Sequence, residues 1–467
     1  MRVHVIGHAS LLIEADGVTI LMDPVFWDPN YEGTNAMCPQ REVNPERLPQ
    51  YNLVVVSHRH LDHFDIRTLA SLDRRCTVLI PDGDPLLEGS IKRLGFERCL
   101  PLPDQQSVTF GGSTLTPTPS KANVREFGLI IHDSTSTLWN QVDTIIDSSI
   151  ANDVSERFGP FDLLLAPWQP LLESEVVTNG TTSFPYEAYF KLLSNVQHIH
   201  PRTVVPSACG FKYAGEGEWL NKFVFPATRE MFMRDIAALA ADVEVMVPYP
   251  GDIVAVTNAG AKLNRSASPF VRMVRNDLAD TTFDPTGAVP ELSDSNPHAY
   301  PEAEMLSTIT AFLDNSLVPV LRTSLQHNTI AHEYQRLGLV YQIDVVFPSR
   351  TYSWSIDFGH DLSLENWPSA TAHLRSRITA SVLVDLITGR CSPNYVYGGG
   401  FYRWSQRVYE VEPHGIYRWS PASERAVLDP LWMALDPDSL FEKYVDREIR
   451  VYHQNSIRTT SSLREPA

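Results

Sequence analysis

The sequence is poor in cysteine and in basic residues, and it has no long apolar run. Its five cysteines are scattered without Cys-x-x-Cys spacing, so neither a disulfide framework nor a cysteine zinc site is expected. Lysine and arginine total 38 against 56 acidic residues, and the net charge of −18 argues against a general nucleic-acid-binding protein. No stretch reaches the roughly 18 apolar residues of a membrane-spanning helix. These absences favour a cytoplasmic protein without a membrane span.

The order of strand-like and helical segments predicts two folded units in the 467 residues. Strands with interleaved helices through about residue 255 predict an α/β domain at 1–256. The polar stretch 257–301 is rich in Pro, Gly, Asn and Ser, which is typical of a linker or an excursion. Residues 302–467 mix helical and aromatic strand-like segments, so we expect a C-terminal α+β domain there.

One short segment concentrates residues that bind metals. "VVVSHRHLDHFDIRT" reads as a buried strand that ends at Ser57 and delivers His58, His60, Asp62 and His63 onto a loop before a helix. Imidazole and carboxylate ligands suit divalent ions such as zinc, iron or manganese. The spacing predicts that His58 and His60 face one ion while Asp62 and His63 face a second. A loop of solvated charges is the alternative interpretation.

This His-x-His-x-Asp-His pattern, placed between a strand and a helix, resembles the metallo-β-lactamase superfamily. The opening hairpin "GHASLLIEADGVTILMDPVF" is similar to the branch that includes ascorbate-6-phosphate lactonase and N-acylphosphatidylethanolamine phospholipase D. The resemblance implies an α/β fold, the αββα sandwich of that superfamily, followed by the C-terminal α+β domain. It also implies one or two divalent metal ions as cofactors.

The resemblance assigns roles to residues outside the motif. The segment "TLWNQVDT" supplies a bridging ligand as Asp143, and Asp23 is expected beside the metal loop. Asp65 is expected to orient a ligand histidine through a hydrogen bond. His8 is expected to line the pocket or to have a structural role rather than to bind metal directly.

Two histidines of the family pattern are missing. Ser120 and Lys121 stand where one is expected after "TLTPTPS", and "VVPSACGF" has Ser207, Ala208 and Cys209 where the last is expected. Cys209 is either a soft ligand or a small apolar residue. The histidines at 132, 198 and 200 are candidates to replace the missing ligands, although their positions favour packing or surface roles.

The remaining ligands can be assigned to two sites. The first site keeps His58, His60 and Asp143, and the second keeps Asp62, His63 and Asp143. Either set leaves coordination positions open for water, substrate or dioxygen.

A second resemblance concerns the segments "VVPSACGFKYAGEGEWLNKF" and "VEVMVPYPGDIV". Together they are similar to the lactamase-like portion of cytidine monophosphate N-acetylneuraminate hydroxylase. That family carries a Rieske cluster, but this sequence has no Cys-x-His…Cys-x-x-His pair to hold one. Oxygenase activity would therefore need an iron site in this chain or a redox partner.

The C-terminal segment "ITASVLVDLITGRCSPNYVYGGGFYRWSQRVYEV" resembles sterol-carrier-like domains. Its alternating aromatic residues also fit plain sheet packing, which is the stronger interpretation.

Three functions follow from these features. The first is a hydrolase that cleaves a phosphoester, lactone or amide-like bond of a small molecule with a metal-activated water, with Asp62 or Asp143 accepting a proton. The second is a non-haem iron oxygenase, and the third is a binding protein without turnover. The sequence leaves the substrate, the metal and a homo-oligomeric state open.

Overall fold

The computed structural model describes residues 1–178, 183–326, 330–419 and 427–462. The strands, in chain order, are β1 (Arg2–Gly7), β2 (Ser10–Ala15), β3 (Val18–Met22), β4 (Asn35–Met37), β5 (Gln40–Val43), β6 (Leu53–Val55), β7 (Thr77–Pro81), β8 (Arg98–Leu102), β9 (Val108–Phe110), β10 (Ser113–Thr118), β11 (Gly128–His132), β12 (Thr137–Asn140), β13 (Leu163–Ala166), β14 (Thr203–Pro206), β15 (Phe211–Tyr213), β16 (Glu244–Val245), β17 (Ile253–Thr257), β18 (Gly260–Asn264), β19 (Val271–Arg275), β20 (Val340–Val346), β21 (Thr351–Asp357), β22 (Leu364–Glu365), β23 (Leu374–Thr379), β24 (Tyr402–Gln406), β25 (Tyr409–Glu412) and β26 (Gly415–Arg418). The α-helices are α1 (Ile66–Ser71), α2 (Pro85–Arg93), α3 (Ser148–Phe158), α4 (Glu173–Val177), α5 (Tyr186–Ile199), α6 (Arg229–Leu239), α7 (Glu302–Phe312), α8 (Val318–Gln326), α9 (Ile330–Arg336), α10 (Ala380–Ile387), α11 (Pro393–Gly398), α12 (Pro430–Leu435) and α13 (Pro437–Ser462).

The chain forms two compact units. The first unit comprises Met1–Leu172, Ser183–Pro285 and Val445–Ala467, and the second comprises Glu173–Thr182 and Thr286–Tyr444. No helix in the described ranges combines the length and the apolar character needed to cross a membrane.

The first unit is built on two sheets. One has eight strands in the order β18-β17-β1-β2-β3-β6-β7-β8, and the other has seven in the order β16-β14-β13-β12-β11-β10-β9. Side chains from both sheets form one buried cluster, which contains Leu11 and Ile13 of β2 together with Leu129 and Ile131 of β11. The two sheets therefore pack face to face and share a hydrophobic core.

Helices cover the outer faces of this sandwich. Trp139 and Leu164 of the seven-stranded sheet belong to a buried cluster with side chains of α3, α5 and α6, including Phe232. α2 packs on β7 and β8 of the other sheet. Its N-terminus is fixed because the Asp84 carboxylate accepts a hydrogen bond from the Leu87 backbone N–H at 3.0 Å. The layers are thus helix, sheet, sheet, helix, as expected.

The second unit has its own sheet, in the order β22-β21-β20-β23-β24, and a separate hairpin of β25 and β26. Its buried cluster takes residues from the sheet and from α7, α8, α10 and α12. This unit is the α+β domain that the sequence predicts.

The boundary between the units differs from the sequence-based one. We expect a linker or excursion at 257–301 from its polar composition, but 257–285 belongs to the first unit and contains β18 and β19. β18 is half-buried and β19 is largely exposed, with one buried residue in the two strands together, so neither shows the alternation of buried and exposed residues that marks a half-buried strand. The last segment from Val445 also belongs to the first unit rather than to a C-terminal domain at 302–467.

Candidate metal centre

The histidine-rich segment lies on the loop between β6 and α1. β6 is fully buried and pairs in parallel with β3 on one side and β7 on the other. The loop ends at Asp65, whose carboxylate accepts a hydrogen bond from the Thr68 backbone N–H at 2.6 Å and caps α1. The loop is therefore held between a buried strand and a capped helix. Asp65 has no histidine partner within the described ranges, so its expected orienting role stays a prediction.

Two groups of metal-binding atoms converge at this loop. His58, His63 and Asp143 each offer one ligand atom, and these atoms all lie within 4.8 Å of one another. His8, Asp62 and His63 form a second group of the same spread. His63 belongs to both groups, so the two are neighbours. We call these five residues, together with His60, the candidate centre.

His60 lies beside the two groups. Its Nδ1 is 2.9 Å from Nε2 of His58. Burial lowers the pKa of His60 and holds the pKa of His58 well below its usual value. Both imidazoles are therefore neutral and offer lone pairs, which is the form that binds metal. The expected pairing of His58 with His60 on one ion stays a prediction.

Asp23 sets the orientation of two of the histidines. One of its carboxylate oxygens accepts from the Ser57 hydroxyl at 2.7 Å and from His63 Nδ1 at 3.0 Å. Because the Ser57 hydroxyl donates to Asp23, it accepts from His58 Nδ1, which lies 3.0 Å away. Both imidazoles therefore donate from Nδ1 and direct Nε2 into the centre. Asp23 thus contacts Ser57 and His63 of this loop, and its role beside a bound metal stays a prediction.

His8 has the opposite orientation. The Gly210 backbone N–H donates to His8 Nδ1 at 3.1 Å, so the hydrogen of the neutral ring is on Nε2. That Nε2 lies 3.2 Å from an Asp62 carboxylate oxygen and 3.2 Å from His63 Nε2. In this state His8 is a hydrogen-bond donor toward the centre rather than a free ligand, and the pocket-lining role expected from the sequence stays a prediction.

The charges at the centre are tightly coupled. Burial favours neutral His63, but the carboxylates of Asp143 and Asp62 outweigh it and hold the pKa of His63 well above its usual value. Burial also favours protonated carboxyls, yet His63 lowers the pKa of Asp62 and of Asp143. The Asp143 side chain is 31% exposed, while its Oδ1 is buried and has no hydrogen-bond partner among the described residues. The site concentrates negative charge that a cation could neutralise.

Ser120 and Lys121 follow β10, at the position of the first missing histidine. The Ser120 hydroxyl donates to the carboxylate of Glu126, and the Lys121 ammonium forms an ion pair with Asp147. Glu126 is buried, and this burial together with the nearby charge of Asp143 raises the pKa of Glu126 to about 7. Glu126 is not predictable from the sequence, since no spacing or pattern in "KANVREFG" distinguishes it.

Ser207, Ala208 and Cys209 follow β14, at the position of the second missing histidine. Ala208 and Cys209 are buried and have φ values of +56° and +50°, in the left-handed region that favours glycine. Such a conformation persists only where its surroundings enforce it. The next residue, Gly210, is the one that contacts His8.

Three other histidines lie away from the centre. His132 Nδ1 is 2.8 Å from the Thr137 hydroxyl, and His198 Nδ1 is 2.6 Å from the Ser194 carbonyl oxygen. His200 forms an exposed ion pair with an aspartate. All three side chains are exposed, so none replaces a missing ligand.

Residues 18–207 match the family model described as the beta-lactamase superfamily domain. The motif, the sandwich of two sheets and this match agree. This region of the chain is therefore similar to the domain that defines the metallo-β-lactamase superfamily.

Parts of the chain are also similar to curated proteins. The chain is 33% identical over 85 residues to N-acyl-phosphatidylethanolamine-hydrolyzing phospholipase D 1 of Caenorhabditis elegans, covering 17% of this chain and 24% of the relative. This similarity agrees with the branch of the superfamily that the opening hairpin indicates.

Two further relatives share a longer region. An uncharacterized protein of Mycobacterium tuberculosis is 30% identical over 182 residues, which cover 34% of this chain and 46% of the relative. The 4-amino-L-phenylalanyl-(CmlP-peptidyl-carrier-protein) 3-hydroxylase of Streptomyces venezuelae is 27% identical over 171 residues, covering 34% of this chain and 32% of the relative. The chain thus matches less than half the length of each of these relatives.

Proposed function

We propose that the first unit is a metal-dependent enzyme that binds one or two divalent ions, zinc, iron or manganese, at the candidate centre. The observation that carries the proposal is the convergence of imidazole nitrogens and carboxylate oxygens within 4.8 Å in two adjoining groups. The partnerless buried Oδ1 of Asp143 fits a cation as its partner. Nitrogen and oxygen donors of this kind suit borderline divalent ions.

The reaction proposed first is hydrolysis of a phosphoester, lactone or amide-like bond of a small molecule. A bound divalent ion would lower the pKa of a water molecule and polarise the bond to be cleaved. Asp62 and Asp143 are ionised at neutral pH because the neighbouring imidazoles lower their pKa. They suit cation binding, and their low basicity makes them weak proton acceptors.

The chain's other residues orient the ligands. Asp23 and Ser57 hold the Nδ1 atoms of His58 and His63 in hydrogen bonds and so direct the Nε2 atoms of both rings into the centre. His8 directs its Nε2–H toward Asp62, where it holds one carboxylate oxygen in place. Such supporting hydrogen bonds typically change metal affinity or activity by about 10–100-fold.

Metal analysis tests the assignment. Full-length protein purified without added metal should contain one or two equivalents of zinc or manganese and should hydrolyse a phosphodiester or lactone test substrate. Replacing both His58 and His60 with alanine should abolish metal uptake. His132→Ala is the matched control, because that histidine is exposed on β11 and bonded to Thr137. Unchanged uptake in the double variant would refute the site.

A second candidate function is a non-haem iron oxygenase. It is favoured by the similarity to the Streptomyces hydroxylase, 27% identical over 171 residues. Two histidines with one carboxylate, as in His58, His63 and Asp143, also match the ligand set that non-haem iron uses. Iron in the purified protein, with an absorption or Mössbauer signal that responds to dioxygen, would favour this function over hydrolysis. The reaction would also require electrons from a reducing partner.

A further inference from the structure

The first residue of α6 is an arginine whose charge is buried. Arg229 is only 8% exposed, and its guanidinium lies 5.6 Å from the ring centres of both Trp168 and Tyr249. One of its terminal nitrogens donates to the Pro248 carbonyl oxygen at 3.0 Å. Its Nε is buried and has no hydrogen-bond partner in the described part of the chain. No carboxylate forms an ion pair with Arg229 among the described residues.

Two other buried arginines have more hydrogen-bond acceptors than Arg229, although Nε of Arg41 also has no partner among the described residues. Arg41 donates to the Asp28 carboxylate at 3.0 Å, and also to a backbone carbonyl oxygen at 2.7 Å. Arg403 donates from one nitrogen to two backbone carbonyl oxygens, at 2.9 and 2.8 Å. Arg229 has one such acceptor and no carboxylate. An unpaired buried charge is strongly unfavourable, so the surroundings of Arg229 call for an anionic partner.

Arg229 lines a small internal cavity. The cavity has a volume of about 20 Å³ and is also lined by Ser207, His8 and Cys38, together with aliphatic side chains of both sheets. A volume of roughly 10–15 Å³ is enough for one water molecule, so the cavity can hold one water molecule or a single ion of similar size. Burial and the nearby Asp277 raise the pKa of the Cys38 thiol to about 12. The thiol is therefore neutral and does not balance the guanidinium.

We infer that this cavity binds a small monovalent anion of halide size, held by the Nε–H of Arg229 and the hydroxyl of Ser207. The volume excludes phosphate and the acidic group of a larger molecule. The aliphatic wall offers little to a hydrated cation, and the guanidinium repels one. A neutral water molecule would fill the space but would leave the buried charge unbalanced. The anion stabilises the loop that follows β14 and does not depend on the proposed reaction.

Bromide is the probe, because it replaces chloride and scatters X-rays anomalously. Crystals of the full chain grown in bromide should show one anomalous peak in this cavity, within hydrogen-bond distance of Arg229. Arg229→Met should remove the peak. Arg265→Met should keep it, since Arg265 also stacks on Tyr249, at 5.4 Å, but is 55% exposed and paired with Asp252. A water molecule without anomalous signal at this position in the wild type would overturn the inference.

A solution measurement does not depend on crystals. The unfolding temperature of the wild type should be higher in sodium chloride than in sodium gluconate of equal ionic strength, because gluconate is too large for the cavity. The rise should be about 3 °C at a tenfold excess of chloride over its dissociation constant. Arg265→Met should retain this rise, and Arg229→Met should lose it. If Arg229→Met does not fold, the wild-type comparison still decides, and equal unfolding temperatures in the two salts contradict the inference.

Discussion

At the scale of single residues, Glu126 is a buried carboxyl whose pKa depends on Asp143 of the candidate centre. Its carboxylate accepts from the Ser120 hydroxyl and from the Ile145 backbone N–H, at 3.3 Å for the latter. Burial and the charge of Asp143 nevertheless raise the pKa of Glu126 from 4.5 to about 7. In the absence of metal, the folded protein therefore retains a proton there that the unfolded chain releases.

Replacing Glu126 with glutamine should flatten the pH dependence of stability in the chelated protein. The folded state binds more protons than the unfolded state between the two pKa values, so this contribution to the free energy of unfolding falls as the pH rises from about 4.5 to about 7. The loss is on the order of 2–3 kcal/mol. Urea unfolding of metal-free wild type and Glu126→Gln at about pH 5 and about pH 7.5 measures the difference. Glu97→Gln, at an exposed position of the same unit, is the control. An identical pH dependence in wild type and Glu126→Gln would contradict the raised pKa of Glu126.

At the scale of structural elements, the loop after β14 is held from several directions. Trp168 Nε1 donates to the Ala208 carbonyl oxygen at 3.3 Å, and the Cys38 backbone N–H donates to the Gly210 carbonyl oxygen at 3.0 Å. The Gly210 N–H in turn orients His8. The loop therefore does not supply the histidine that the family pattern predicts. It instead orients His8, which lies near the N-terminus of the chain.

Substituting Gly210 with alanine should disrupt this arrangement. A Cβ atom at this position would lie 2.9 Å from both Cα and N of His8, which is closer than backbone atoms allow. We expect a loss of about 1–3 kcal/mol in the free energy of unfolding and a displaced His8 ring. Urea unfolding and the NMR signals of the His8 ring would detect both effects. Gly89→Ala is the control, because it lies in α2 with open space around it and should stabilise the helix by about 0.5–1 kcal/mol. A Gly210→Ala protein as stable as the wild type would show that the close approach is not needed.

The elements also show what the sequence can predict. The strand, loop and helix around His58–His63 are local features, since an apolar run and a capping Asp65 lie next to the motif. Glu126 and Gly210 lie far from the motif in sequence, and the order of strands in the two sheets brings them near the centre. No local sequence pattern encodes that order. The strands β18 and β19 escape prediction for a different reason, because strands with few buried residues carry polar side chains and resemble loops in sequence.

At the scale of the whole molecule, the two units have separate hydrophobic cores. One buried cluster of the first unit lies between its two sheets, and another lies between the seven-stranded sheet and its helices. The cluster of the second unit contains only residues of that unit. Each core is large enough to support cooperative folding, and the candidate centre belongs to the first unit alone.

Removing metal should therefore lower the unfolding temperature of one calorimetric transition and leave a second transition in place. A ligand stabilises the cooperative unit that binds it, so the metal should act on the unit containing His58 and Asp143. Two core variants assign the transitions: Leu138→Ala should destabilise the metal-sensitive one, and Leu383→Ala the other, each by about 2–5 kcal/mol. Scanning calorimetry with and without chelator measures the shifts. A chelator effect on the transition that Leu383→Ala lowers would place the metal outside the first unit, or would show that the two cores unfold as one.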